Sequence, residues 1–426
     1  MKIETLHAHF LKSSGICTDT RKISRNCLFF ALRGDNFNGN MFAQEALDKG
    51  AYKVVVDDIS AHKNTGETIL HGNSLLLLQK LATYHRNFLQ IPIIALTGSN
   101  GKTTTKELIN AVLSQKYNTS ATRGNLNNHI GVPLTLLSMD QNTEMGIVEM
   151  GANHLKEIEL LSNIAQPDYG LITNFGKAHL EGFGGMEGVI KGKSELYQYI
   201  ADNNKMVFVN GNDSKQMELT NSIERFTFGS GDFDCSIRLK DASNFLVIEY
   251  ANVLIRSKLI GLYNFHNIAA AIAIGTYFKV GPEQIKVAIE SYIPENNRSQ
   301  IITRNGFNII MDAYNANPTS MLAALENFQQ ADGNQKIMIL GDMFELGESS
   351  AEEHQQIVNY LEAQPFGEVY LVGSNFNRTK IKKDHLQSFE DFNDFKYFWQ
   401  NNHSKKGSLL IKGSRGMALE RVLDLL

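Results

Sequence analysis

The 426-residue sequence predicts an α/β protein of three units, each a sheet flanked by helices. Three observations predict it. Short continuous apolar runs alternate with stretches of helical periodicity, the pattern of parallel strands buried on both faces. One such run, Ile91-Pro92-Ile93-Ile94-Ala95-Leu96, feeds a glycine-rich turn and then the helical stretch KELINAVLSQ. At about 150 residues per domain, the length corresponds to roughly 2.8 domains.

Residues 1–88 form the first, smaller α/β unit. It holds the apolar runs Leu28-Phe29-Phe30-Ala31-Leu32 and Val54-Val55-Val56 and a helical stretch from Ser74 to Asn87. The central unit, 89–295, starts at the Ile91 strand and continues with strands at Met145–Glu149, 170–173 and Met206–Asn210. Strands alternating with helices predict a doubly wound, mainly parallel sheet. Within it, residues 225–260 alternate in the manner of FLVIEYANVLIRSKL and read as a β-rich insert, closed by the helix AAAIAIGTYF. The third unit, 296–426, carries strands at Phe307–Asp312, 336–340, Glu368–Val372 and 408–411 separated by helices, a Rossmann-like α/β arrangement.

Composition narrows the function classes. Lys plus Arg number 41 and Asp plus Glu 45, a formal charge of −4. With no basic excess, nucleic acid held by counterion release is not expected. An anionic ligand then needs a local site. No run reaches the length of a membrane span, and MKIETLHAHF has no apolar core of a secretory signal. A cytoplasmic protein is expected. Cys17, Cys27 and Cys235 lack C-x-x-C spacing and read as reduced thiols, with buried inert ones favoured over a reactive pair.

The segment Gly98-Ser99-Asn100-Gly101-Lys102-Thr103-Thr104 stands between strand and helix. Glycines let backbone N–H groups close on phosphate oxygens, and the helix N-terminus adds a positive dipole end. Lys102 then reaches the β- and γ-phosphates of a nucleotide, and the Thr103 hydroxyl a magnesium ion. The usual G-x-x-x-x-G-K-[ST] spacing needs glycine at 96, where the chain has Leu96, so the loop is a shortened variant. A phosphate loop leaves motors, switches, kinases and ligases open.

Longer segments follow in order. They are Thr122-Arg123-Gly124-Asn125-Leu126-Asn127-Asn128, Glu149-Met150-Gly151-Ala152, and Ala178-His179-Leu180-Glu181-Gly182-Phe183-Gly184. Then come Lys193-Ser194-Glu195-Leu196 and Gly261-Leu262-Tyr263-Asn264-Phe265-His266-Asn267. With TGSNGKTTTKE, these resemble the Mur ligase family, ATP-dependent amino-acid and peptide ligases of cell-wall precursor synthesis, over essentially the whole chain. The resemblance implies ATP and two magnesium ions as cofactors, with Thr103, Glu149, His179 and a carbamylated Lys193 as metal ligands. Lys193 has Gly-Lys-Ser-Glu around it where members often have Ala-Lys-Gly-Glu. The resemblance also implies Asn267 at the adenine, since Tyr263 stands where a histidine is usual. Arg298 and Asp312 would reach the nucleotide from the third unit, Arg298 stabilising transferred phosphoryl charge, so that domain closure completes the site. On their own, a helix lysine at 193, capping asparagines and a surface histidine remain alternatives.

Asp312-Ala313-Tyr314-Asn315-Ala316-Asn317-Pro318-Thr319-Ser320 and Leu340-Gly341-Asp342-Met343-Phe344-Glu345-Leu346-Gly347, with His354, resemble blocks of the members that add D-alanyl-D-alanine to UDP-N-acetylmuramoyl-tripeptide. That implies those two small molecules as substrates and an acyl-phosphate route. Asn125, Asn127, Asn128, Asn315, Asn317 and Ser320 become substrate residues. Lys412-Gly413-Ser414-Arg415 resembles the family's last block. In the first unit Asp19, Thr20 and Arg21 sit where members have S-D-S-R for the uridine nucleotide, and Asn38 falls in the turn that usually reads D-G-H. A solvated loop is the alternative there. The rivals are a member that adds the third amino acid, a folylpolyglutamate synthase, and a nucleotide-dependent switch without ligation. A monomer is expected.

Overall fold

The computed structural model describes residues 1–330, 335–402 and 406–426. Its three main sheets follow one another along the chain.

The first has four parallel strands in the order Ile16–Cys17, Leu28–Phe30, Lys53–Val56, Thr68–Leu70. A short hairpin, Arg33–Gly34 with Phe37–Asn38, projects beside it. The helix Ser74–Leu89 leads out of this unit. Asn73 caps it by accepting from Leu76 N, and it ends at Gln90 in a left-handed conformation ahead of Pro92. Its apolar positions Leu77, Leu78, Leu81 and Ala82 recur at helical spacing and are fully buried. Truncating Leu81 to Ala would cost about 2–5 kcal/mol.

The central sheet has nine strands. From one edge they run Thr119–Ala121, Met145–Glu149, Ile93–Thr97, Tyr169–Ile172, Met206–Asn210, Glu224–Gly229 and Cys235–Asp241, all parallel. Phe245–Tyr250 and Val253–Ile260 extend the far edge antiparallel. The β-rich segment is thus continuous with the nucleotide sheet and shares its core, through Cys235, Ile237, Leu246, Ile248 and Ile255. The helix Tyr263–Tyr277, apolar nearly all round, is buried on this face beside Lys102–Leu113.

The last sheet has six strands. Gln300–Arg304 pairs antiparallel with Phe307–Asp312, and Ser408–Lys412, Lys336–Gly341, Glu368–Val372 and Leu386–Phe389 continue it in parallel. The strands Ile93–Thr97, Met145–Glu149 and Phe307–Asp312 all end towards one interdomain cleft, as open α/β sheets place their sites. The three cysteines are free and buried, and burial pushes the Cys27 and Cys235 thiols up, Cys235 to about 11. No helix among the described residues is long and apolar enough to cross a membrane.

Candidate active site

The phosphate loop is shaped by two glycines that no other residue could replace without movement. Gly98 has φ +141°, and a Cβ there would lie 2.0 Å from Thr173 Oγ1. Gly101 has φ +79°, and its Cβ would lie 2.5 Å from Asn267 Oδ1. The loop is pinned by the end of the next strand. Thr173 Oγ1 donates to Asn100 O at 2.6 Å, Asn174 Nδ2 donates to the same oxygen at 3.0 Å, and Asn100 N donates to Asn174 Oδ1 at 3.1 Å. Ser99 Oγ donates to Gly176 O and accepts from Gly176 N, both at 2.9 Å. Lys102 Nζ lies across the loop mouth, donating to Gly98 O at 2.7 Å and Ser99 O at 3.2 Å. Burial lowers its pKa, Glu149 opposes that shift and Arg298 adds to it, so both side chains face the same small space.

Glu149 ends its strand almost fully buried, at 2% exposure. Its Oε1 accepts from Asn127 Nδ2 at 2.8 Å and Thr103 Oγ1 at 3.3 Å, and its backbone N donates to Thr122 Oγ1 at 2.9 Å. Its Oε2 is buried with no partner. A carboxylate oxygen left without a donor costs several kcal/mol unless a cation or water faces it. Placed beside the loop threonine, it fits a hard divalent cation with oxygen ligands, such as magnesium.

His179 has φ +53° at the start of the turn Leu180–Phe183, and its Nδ1 lies 2.5 Å from Glu345 Oε2 of the last unit. This contact holds the Glu345 carboxyl below its ordinary range. Glu345 is a site residue that sequence reasoning assigned no role, although it stands in the quoted LGDMFELG block. Asp342 of the same block accepts from the Asn375 and Phe376 backbone N–H groups, and His354 Nε2 accepts from Met343 N at 3.0 Å. These two therefore shape the last unit.

On the cleft's other wall, Arg298 stacks 3.6 Å over the Tyr314 ring. Asp312 Oδ2 accepts from the buried Lys412 Nζ at 2.6 Å, and its Oδ1 from Ser299 N at 3.2 Å. Tyr263 OH meets Ser299 Oγ at 2.8 Å. The cleft is about 700 Å³. It is lined by Ser99 through Thr104, Asn125, Asn127, Asn128, Glu149, His179, Asn267, Arg298, Asp312, Asn315, Asn317 and Ser320.

Some expected site residues are differently disposed. Asn267 accepts from Thr105 Oγ1 at 3.0 Å and donates to Asn264 Oδ1 at 2.8 Å, so its oxygen braces the loop helix and its nitrogen is held within its own helix. Asn317 is likewise engaged at both ends, with Asn100 and Ser320. Lys193 is fully buried off the cleft. Its Nζ donates to Ala152 O at 2.9 Å and lies 4.9 Å over the Phe183 ring, and burial holds its pKa well below the ordinary lysine value. Asp19, Thr20, Arg21 and Asn38 lie in the first unit, away from this cleft. Asp19 caps its turn and pairs with Arg21 at 2.8 Å, which holds its pKa at about 2, and Asn38 Oδ1 accepts from Asn40.

Fold and site together define a nucleotide-dependent enzyme whose phosphate loop faces a separate α/β unit across a polar cleft. The Mur ligase middle domain matches residues 96–275, and the Mur ligase, glutamate ligase domain matches 297–415. The chain is 34% identical over 424 residues to the UDP-N-acetylmuramoyl-tripeptide–D-alanyl-D-alanine ligase of Bacillus subtilis (strain 168), covering 96% of this chain and 92% of that protein. It superposes on MurF from Acinetobacter baumannii with a TM-score of 0.87 at 30% identity, over 100% and 98% of the two chains. Against MurF of Thermotoga maritima in complex with ADP the TM-score is 0.84 at 27% identity, over 98% and 97%. The chain belongs to the Mur ligase family, and within it to the group of UDP-N-acetylmuramoyl-tripeptide–D-alanyl-D-alanine ligases.

Proposed function

We propose that this cleft joins D-alanyl-D-alanine to the terminal carboxylate of UDP-N-acetylmuramoyl-tripeptide at the expense of ATP. The observation that carries the reading is the buried Glu149, its Oε2 open beside Thr103, on the wall facing the DAYNANPTS segment of the last unit. The carboxylate oxygen of the tripeptide attacks the γ-phosphorus and ADP leaves. The dipeptide amine then attacks the acyl carbon, the C–O bond to phosphate breaks, and the amine proton passes to solvent. Lys102 leaves its loop carbonyls to meet the β- and γ-phosphates, and Arg298 faces the charge on the transferring group. Thr103, Glu149 and His179 would hold magnesium, which supplies charge neutralisation at the phosphates.

In this reading residues 1–88 bind the uridine nucleotide, with Asp19, Thr20, Arg21 and Asn38. Residues 89–295 bind ATP and position the tripeptide with Asn125, Asn127 and Asn128. Residues 296–426 bind the dipeptide with Asn315 and Ser320. The protein works as a cytoplasmic monomer. Lys193 is carbamylated. A neutral amine reacts with carbon dioxide, losing a proton to give the carbamate, and burial favours the neutral amine. Lys193→Ala should abolish turnover, short carboxylates should restore part of it, and labelled bicarbonate should give a carbamate signal only with Lys193. Full activity in that variant would remove Lys193 from the mechanism.

The test of the main reading is phosphate release with ATP, tripeptide nucleotide and D-alanyl-D-alanine. Release that depends on the dipeptide supports it. Release with single amino acids instead supports a ligase adding the third residue, and nucleotide binding without release supports a switch.

A further inference from the structure

The phosphate loop meets the last unit through a pair of amides. Asn317 Nδ2 donates to Asn100 Oδ1 at 2.7 Å, and Asn100 Nδ2 lies 3.4 Å from Asn317 Oδ1. Neither residue is free to reorient. The Asn100 backbone is fixed on both sides by Thr173 and Asn174, so only its side chain leaves the loop. Asn317 is 7% exposed and stands one residue before the helix Pro318–Gln330. Its Oδ1 caps Ser320 N at 2.9 Å, its backbone O accepts from Met321 N at 2.8 Å, and its N donates to Ser320 Oγ at 3.1 Å. One side chain thus caps a helix of the last unit with its oxygen and grips the phosphate loop with its nitrogen.

We infer that Asn100 and Asn317 are a positioning pair. They set the start of the Pro318–Gln330 helix, and with it Asn315 and Ser320, in register with the nucleotide loop, and neither amide of the pair is itself a contact to the dipeptide. This rests on the ligase reading for its kinetic consequence and not for the contact itself. A neutral hydrogen bond of this kind contributes about 0.5–1.5 kcal/mol net, equivalent to roughly two- to tenfold in a rate or binding constant. The pair joins the phosphate loop to the last unit, so its loss should fall on the step that needs both.

The test is a double-mutant cycle with Asn100→Ala, Asn317→Ser and the two combined, in the full chain. Serine keeps a helix-capping oxygen but does not reach Asn100. Each single change should lower kcat/KM for D-alanyl-D-alanine about fivefold to tenfold. The combined variant should be no worse than the weaker single, because both remove one interaction. Independently of activity, Asn100→Ala should speed hydrogen exchange at the Ser320 and Met321 amides. Multiplying effects, or unchanged exchange at 320–321, would overturn the pair. Faster exchange in Asn100→Ala, together with a wild-type protein that forms no peptide bond, would leave the pair standing and sink the ligase reading instead.

Discussion

At the residue scale, Glu149 concentrates the most chemistry in the fewest atoms. One carboxylate oxygen ties together Thr103 and Asn127 while the other is buried without a donor. Glu149→Gln keeps the shape and an acceptor for Thr103 but removes the charge. It should therefore leave the thermal midpoint unchanged or slightly raised, since an unpaired buried charge is relieved. Phosphate release should fall at least about a hundredfold, because a charge that acts in the transition state is lost. Raising magnesium should recover little of it. Equal activity at ordinary magnesium would deny Glu149 a metal role. Lys102 and Thr103 were legible from the phosphate loop itself, whereas Glu149 and His179 were singled out through the family resemblance alone. The engagement of Asn267 and Asn317 at both ends was not legible, because an asparagine that binds a ligand and one that braces a loop look alike until its neighbours across 162 or 217 positions are known.

At the element scale, the helix Ile3–Lys12 is fastened to Ser74–Leu89 by two buried histidines. His85 Nε2 lies 2.9 Å from Met139 O, so it donates there, leaving His85 Nδ1 to accept from His7 Nε2 at 3.0 Å. Protonating His85 Nδ1 would set two donors against each other. Burial lowers both pKa values from 6.5, and His85 lowers His7 further. Below 6.5 the unfolded chain therefore binds protons that the folded chain refuses. The contribution is full above that pH and is lost as pH falls through the folded values. Between about pH 8 and about pH 5 the unfolding midpoint should drop, and a His7→Gln/His85→Gln variant should drop less. Other histidines with lowered pKa values, such as His266 and the buried His354, remain in both proteins, so the difference isolates the pair. Parallel profiles would refute this. Central strands were legible as continuous apolar runs. The edge strands Thr119–Ala121, Gln300–Arg304 and Leu386–Phe389 were not, because each is short or half exposed and lacks such a run.

At the scale of the whole molecule, a chain of net charge −4 has no field with which to gather polyanions. The work falls to the seam where the central and last units meet. Residues 176–179 supply several of its contacts. Lys177 N donates to Thr319 Oγ1 at 3.0 Å, Lys177 Nζ to Glu353 Oε1 at 2.6 Å, and His179 faces Glu345. The Glu353 side chain is 8% exposed, so its carboxylate depends on that lysine more than a surface pair would. Lys177→Met removes the cation, keeps the apolar stem and spares the backbone contact to Thr319. Separation of the two units then becomes easier while the phosphate loop itself is untouched. The expected result is a fall of about fivefold to twentyfold in kcat/KM for D-alanyl-D-alanine, with ATP affinity within about twofold. Lys177→Arg should restore most of the loss, because its guanidinium still offers charge-assisted donors to Glu353. Steady-state phosphate release and nucleotide titration measure both quantities. If Lys177→Met weakens ATP and dipeptide alike, the lysine acts on the loop and not on the seam. If arginine fails to rescue, the ion pair is not what holds the two units in register.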